Sequence, residues 1–243
     1  MNKSTILKSL VFSLAFLLCG CTQAETQAEQ TTGEITETLN EDTDVNTVND
    51  AENAIEEASV LNITADVDLL VNVNDPASIA EYSTYAVIAD VVSIDGCSAY
   101  NASTGKYGEI YTYGKLSVHE CLMGDLNAGD VISFMKPGGV VTWDEYEKSL
   151  HDAEKEKVNS DIKEIPEYVS YMVSDDIEIE EGKTYLIFLW QSPTPAIEDA
   201  VCIQGYQEGL REFDTERRLV LNNTTGEWES LDEIAGLIQQ AAK

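Results

Sequence analysis

Residues 109–121, EIYTYGKLSVHEC, read as one long β-strand with a glycine, Gly114, near its middle. Leu116 and Val118 alternate with Lys115, Ser117 and His119, so one side of this strand faces a core. A glycine inside a strand gives up a side chain to pack and marks a bulge or a sharp coil. Such a strand bends, and the sheet that contains it bends toward closure.

The surrounding pattern supplies the partners of that strand. Residues 85–94 are rich in β-branched residues and apolar on both faces, as a central strand requires. The turn signals around Gly124-Asp125 and Asn127-Ala128-Gly129-Asp130 lead into a strand at 131–135, which Pro137-Gly138-Gly139 ends. A further strand, 183–190, follows the turn at Glu181-Gly182, and weaker ones cover 200–205 and 217–221. Residues 175–181 alternate like an edge strand whose acids face water.

Three helices are predicted beside the strands. Asp75 caps a short one at 75–82, with Pro76 in its first position. Trp143, Tyr146, Leu150 and Ala153 recur at helical spacing within 143–159, and Asp144 stands where it meets Lys148. The last helix, 231–242, follows Ser230 and Glu233 in capping-box spacing and shows Leu231, Ile234, Leu237 and Ile238 on one greasy face.

The first 20 residues are an export signal. Lys3 and Lys8 precede an apolar core at 10–18, and small residues follow. That core is far short of the roughly 20 residues needed to span a bilayer. Leu18-Cys19-Gly20-Cys21 resembles the bacterial lipobox. The resemblance implies a thioether-linked diacylglycerol on Cys21, cleavage before it and loss of Cys19; an ordinary secretory signal leaving a free Cys21 is the alternative. With long acyl chains at about 0.8 kcal/mol per buried CH₂, Cys21 becomes a membrane anchor. The mature protein is then extracytoplasmic and tethered to the cell membrane.

Residues 21–57 form the next segment. It carries acids from Glu25 to Glu57 and no Lys or Arg, so it cannot bury enough apolar surface to offset its ordering entropy and reads as a disordered linker. The formal charge of the chain is −31. Loss of Lys3 and Lys8 takes it to about −33, and the linker's acids leave about −22 on the domain at 58–243. So acidic a surface repels phosphate backbones and anionic headgroups, which argues against nucleic acid as a partner and permits a cationic protein or peptide.

From residue 83 to 206 a series of turns and strands resembles the barrel of the netrin-module and tissue-inhibitor-of-metalloproteinase superfamily. The matching pieces are Ala89-Asp90-Val91-Val92, the run from Val118 to Leu126, Gly129-Asp130-Val131-Ile132, Gly138-Gly139 and 181–189. The resemblance implies a mainly β, α+β domain: a closed or partly open OB-like barrel with an inserted helix and a C-terminal helix. It does not carry over the inhibitors' mechanism. They chelate a protease's zinc through the free amine and carbonyl of an N-terminal cysteine fixed on the barrel, whereas here Cys21 is acylated and separated by the linker.

No constellation of catalytic residues emerges. Cys97, Cys121 and Cys202 permit one disulfide with one thiol left over. There is no CxxC pair, zinc-ligand spacing or EF-hand loop, and Gly138-Gly139 lacks the Lys and Ser/Thr of a phosphate loop, so no metal or cofactor is expected. His119 and Cys121, two apart on a strand, point to one face and are the minimum of a thiol–base pair, the basis of an alternative reading as an extracytoplasmic enzyme. Tyr107, Tyr111 and Tyr113, with Tyr100 and the glycines Gly105 and Gly108, make the first hairpin the candidate ligand surface, since such a loop borders the usual ligand face of an OB barrel. The expectation is a tethered, non-catalytic binding module, with a protease-inhibitor-like protein as another alternative.

Overall fold

The computed structural model describes residues 59–67 and 71–241, together with the backbone of Cys19–Gly20, Ala24–Gln27 and Asp68–Leu69. The apolar signal core, Cys21 and the greater part of the acidic linker lie outside these residues. Ala24–Gln27 runs antiparallel to the first strand of the domain, and Cys19–Gly20 to Asp68–Leu69. Among the described residues no helix is long and apolar enough to cross a membrane.

Five strands make a ring. They are β2 (Tyr85–Asn101), β3 (Lys106–Met123), β4 (Val131–Pro137), β7 (Thr184–Trp190) and β8 (Ala200–Ile203). β2 pairs with β3 and β3 with β4, all antiparallel; β4 runs parallel to β8, and β8 returns antiparallel to β7, which pairs with β2. This order, with its third and fifth strands parallel, is the OB arrangement. Closure is partial. Only Leu189 and Trp190 of β7 reach β8, while Tyr185, Leu186 and Ile187 pair instead with β9 (Leu210–Asp214). The sheet then continues into β10 (Leu219–Leu221) and β11 (Trp228–Ser230).

The ring is filled with side chains. Val87, Ala89, Leu116, Phe134, Ile187 and Leu210 meet in its interior, each fully buried. At about 1.5–3 kcal/mol for a large apolar side chain, this cluster is the main source of the barrel's stability. The opposite face of β2 and β7 packs on α1 (Pro76–Ala80) and α5 (Leu231–Ala241) through Ile79, Ile88, Leu186, Phe188, Ile234 and Ile238. Asp75 caps α1 as expected, its Oδ1 accepting from the Ala77 amide at 3.0 Å. Leu237 is an exception to the expected greasy face of α5: it is exposed, because the buried stripe runs through Leu231, Ile234 and Ile238.

A second, smaller sheet was not foreseen. β1 (Val60–Ala65) lies parallel to β6 (Tyr168–Val173), which pairs antiparallel with β5 (Gly139–Thr142). It caps the end of the β2–β3 hairpin through Leu61, Ile63, Ala99, Ile110 and Val169. The expected helix at 143–159 is two helices, α2 (Trp143–Ser149) and α3 (Asp152–Asp161). Leu150 turns extended to pack into the cluster beneath, and the His151 amide restarts the helix by donating to Glu154 Oε2 at 3.0 Å. Residues 175–181 are not an edge strand. They form a turn and loop that buries Ile179 and turns Asp176 inward. The three cysteines are free thiols on different walls: Cys97 beside the small-sheet cluster, Cys121 against the barrel core and Cys202 under the loop that follows β7. The disulfide is therefore not formed.

Candidate binding surfaces

The first hairpin ends in exposed aromatic rings. Tyr100 and Tyr107 pair across β2 and β3 and meet edge-on at 5.3 Å, with the Lys148 ammonium of α2 5.4 Å from the Tyr107 ring. Tyr111 and Tyr113 do not join them at the surface. Tyr111 is buried, donates its hydroxyl to Glu109 Oε2 at 2.7 Å, and packs with Met135, Ala196 and Cys202. Tyr113 is half-buried against the same cluster.

The cover comes from the connection between β7 and β8. Its Ala196 carbonyl accepts from the Ala102 amide at 2.8 Å, and its Pro195 carbonyl accepts from Ser103 Oγ at 2.6 Å. Both donors lie in the β2–β3 turn, so the two loops that flank an OB ligand face are tied together here. The face between them is filled by the protein itself. Burial also pushes the Cys202 thiol up, which keeps it protonated and unreactive. Of the three tyrosines expected to contact a ligand, Tyr107 alone is solvent-exposed.

His119 and Cys121 do not form a unit. Val118 pairs with Ala89 and Glu120 with Ile88, so His119 is the extra residue of a β-bulge and the alternation reverses across it. Cys121 packs against the barrel core and donates to the Met123 carbonyl at 3.1 Å. His119 turns outward, Nε2 at 2.7 Å from Asp90 Oδ2, while Thr184 Oγ1 donates to Asp90 Oδ1 at 2.6 Å. Partial burial raises the Asp90 carboxyl, but the hydrogen bonds from Thr184 and His119, with the His119 charge, outweigh it and hold the group below the usual carboxylate range. A depressed carboxylate contributes stability above its unfolded value, near 3.9, and loses it as pH falls through the folded value. Asp90→Asn is therefore expected to lower the urea midpoint at pH 5, with the gap to wild type closing as pH falls below the usual carboxylate range. A gap independent of pH would contradict this.

A third feature was not legible in the sequence. Between β4, β5, β6 and the 176–179 loop lies a cleft of about 200 Å³. Lys136 and Asp176 meet in its wall, with side chains 8% and 2% exposed. Burial pushes the Asp176 carboxyl up; the Lys136 charge and hydrogen bond and the Ile177 amide, at 2.9 Å, pull it down without cancelling the rise. Cys97 and Thr112 complete the polar end, Sγ lying 3.4 Å from Oγ1, which donates to the Gly138 carbonyl at 2.9 Å. Gly139, at φ 135°, admits them: a Cβ there would lie 2.6 Å from Cys97 Sγ and 2.7 Å from Thr112 Oγ1. Only a turn signal marked Gly138-Gly139 in the sequence, and nothing marked Asp176 among its acidic neighbours.

Among the described residues no group of three or more His, Cys, Asp and Glu side chains is gathered to hold a metal ion. The chain matches no protein-family model and no curated protein sequence.

Proposed function

We propose that this protein is an extracytoplasmic lipoprotein, held on the membrane through Cys21, that serves as a non-catalytic binding module for a basic protein or peptide. The observation that carries the reading is the N-terminal sequence: a positive start, an apolar core too short to span a bilayer, and Leu18-Cys19-Gly20-Cys21. The acidic linker behind it, at roughly 5–6 Å times the square root of its length, gives a reach on the order of 30 Å from the membrane. The domain at its end carries a charge of about −22, which steers cations toward it and turns polyanions away. Support for binding without chemistry comes from the barrel, whose interior is packed with apolar side chains, and from the outward and inward divergence of His119 and Cys121. The exposed Tyr100–Tyr107 pair beside the half-exposed Lys148 is the contact surface this reading favours.

The test uses the full-length protein in cells, with a photoreactive phenylalanine analogue at Tyr107. The expected result is a crosslinked adduct with a basic protein whose yield falls several-fold when salt is raised to about 0.5 M, where screening shortens to a few ångströms. A well-expressed, membrane-bound protein that gives no adduct, or a purified protein that turns over a substrate, would contradict the proposal.

A further inference from the structure

The Lys136–Asp176 cleft is an ion pair set into a mostly apolar wall, and it is open to solvent on one side. A lysine ammonium has three donors, and Asp176 takes one of them. Asp176 has its own remaining lone pairs, and Glu178, exposed, stands at the mouth. Pro137, Val140, Met172 and Ile179 line the rest. At about 200 Å³ the space is smaller than the roughly 300 Å³ at which pockets for drug-sized molecules begin, so its occupant is small.

Charge narrows the choice. A net anion would have to approach a domain of about −22, and a net cation would meet the Lys136 ammonium. A neutral apolar molecule would leave the remaining donors of Lys136 and the remaining lone pairs of Asp176 unused. A zwitterion with an apolar body meets all three conditions. We propose that this cleft binds a free apolar α-amino acid, its carboxylate on Lys136, its ammonium between Asp176 and Glu178, and its side chain against Val140, Met172 and Ile179. The cleft shares Cys97 and Thr112 with the first hairpin but not its exposed Tyr100–Tyr107 pair, and the proposal does not depend on the tether.

Cys97 supplies the reporter, because its thiol lines the same cleft. Full-length protein is treated with iodoacetamide in the presence of L-methionine or L-leucine, and labelling at Cys97 is followed by peptide mass spectrometry. Saturating amino acid is expected to slow labelling at least about fivefold, whereas equimolar acetate plus methylammonium leaves it unchanged. The Lys136→Met/Asp176→Leu double variant replaces the pair with apolar side chains of similar volume, a change that often preserves stability, and is expected to lose the protection. Thermal unfolding with the same ligands is the second measurement. A raised midpoint in wild type and none in the double variant is expected, and it decides the matter if Cys97 resists alkylation. Protection that survives in the double variant, or amino acids that neither slow labelling nor raise the midpoint, would overturn the proposal.

Discussion

Gly114→Ala is expected to cost about 3 kcal/mol or more, at the upper end of what forced overpacking costs, and to leave a domain of ordinary stability near its unfolding threshold. A Cβ at this position would lie 2.0 Å from the Ser93 carbonyl oxygen and 2.9 Å from Phe134 Cε1. Neither neighbour can give. Ser93 belongs to β2, which shifts register against β3 on either side of this point, between Val91 and Ser93 and between Ile94 and Gly96. Phe134 is wholly buried in the barrel core. The missing side chain is thus what lets β2 cross tightly over β3 where the sheet coils into a ring. Gly108, on the same strand, has nothing within 4 Å of the corresponding Cβ, so Gly108→Ala is the matched control and is expected to be nearly neutral. Urea midpoints followed by near-ultraviolet circular dichroism compare the two. Equal midpoints would show that the coil does not require a glycine.

Arg211→Met is expected to destabilise by about 3–5 kcal/mol, the range for breaking a buried pair and stranding its partner. Arg211, on β9, and Glu208, on the short helix α4 (Tyr206–Gly209), are both fully buried, with Nη2 2.8 Å from Oε2 in a charge contact that is not an aligned hydrogen bond. Arg211 also reaches Glu229 at 3.2 Å, and its Nε donates to the Glu208 carbonyl at 3.1 Å. Glu208 Oε1 in turn accepts from the amide and the hydroxyl of Thr224, each at 2.7 Å, fastening the turn between β10 and β11. Without the guanidinium that carboxylate is an uncompensated charge in the interior. Adding Glu208→Gln removes the charge while keeping an acceptor for Thr224, so the Arg211→Met/Glu208→Gln double variant is expected to recover part of the loss. A double-mutant cycle measures this directly, with a coupling of about 1–3 kcal/mol expected and strict additivity contradicting it.

What the sequence revealed and what it hid follow from how far each signal reaches. β7 and the first half of β2 were legible because a strand buried on both faces is apolar throughout, and β4 because turn residues bound it at both ends; no distant partner need be known to recognise either signal. Gly114 was legible for a similar reason, since a glycine amid β-branched and aromatic residues has few other uses. The small sheet was not, because β1 gains its stability from β6, a parallel partner about a hundred residues later, and β5 is only 4 residues long. β9 was hidden by its own core residue, for Arg211 reads as a solvent-facing charge until Glu208 and Glu229 are placed beside it.

The candidate sites were harder still. The pairing of His119 with Cys121 assumed an unbroken two-residue alternation, and one bulge was enough to separate them. Tyr111 is buried and Tyr113 half-buried although their strand is plainly aromatic, since what covers them, the loop carrying Pro195 and Ala196, lies more than 80 residues downstream. Asp176 illustrates the same limit from the other side. Among Asp175, Glu178, Glu180 and Glu181 it has no distinguishing neighbour in sequence, and only Lys136, from another strand, selects it for burial.

The measurement closest to the central claim is the mass of the mature N-terminus. No Lys or Arg lies between Cys21 and Lys106, so cleavage after glutamate is the useful digestion: it releases residues 21–25, Cys-Thr-Gln-Ala-Glu, from the membrane fraction. The account predicts this peptide with a diacylglyceryl thioether on Cys21 and with Cys19 absent. An unmodified Cys21, or a mature chain beginning at another residue, would contradict it.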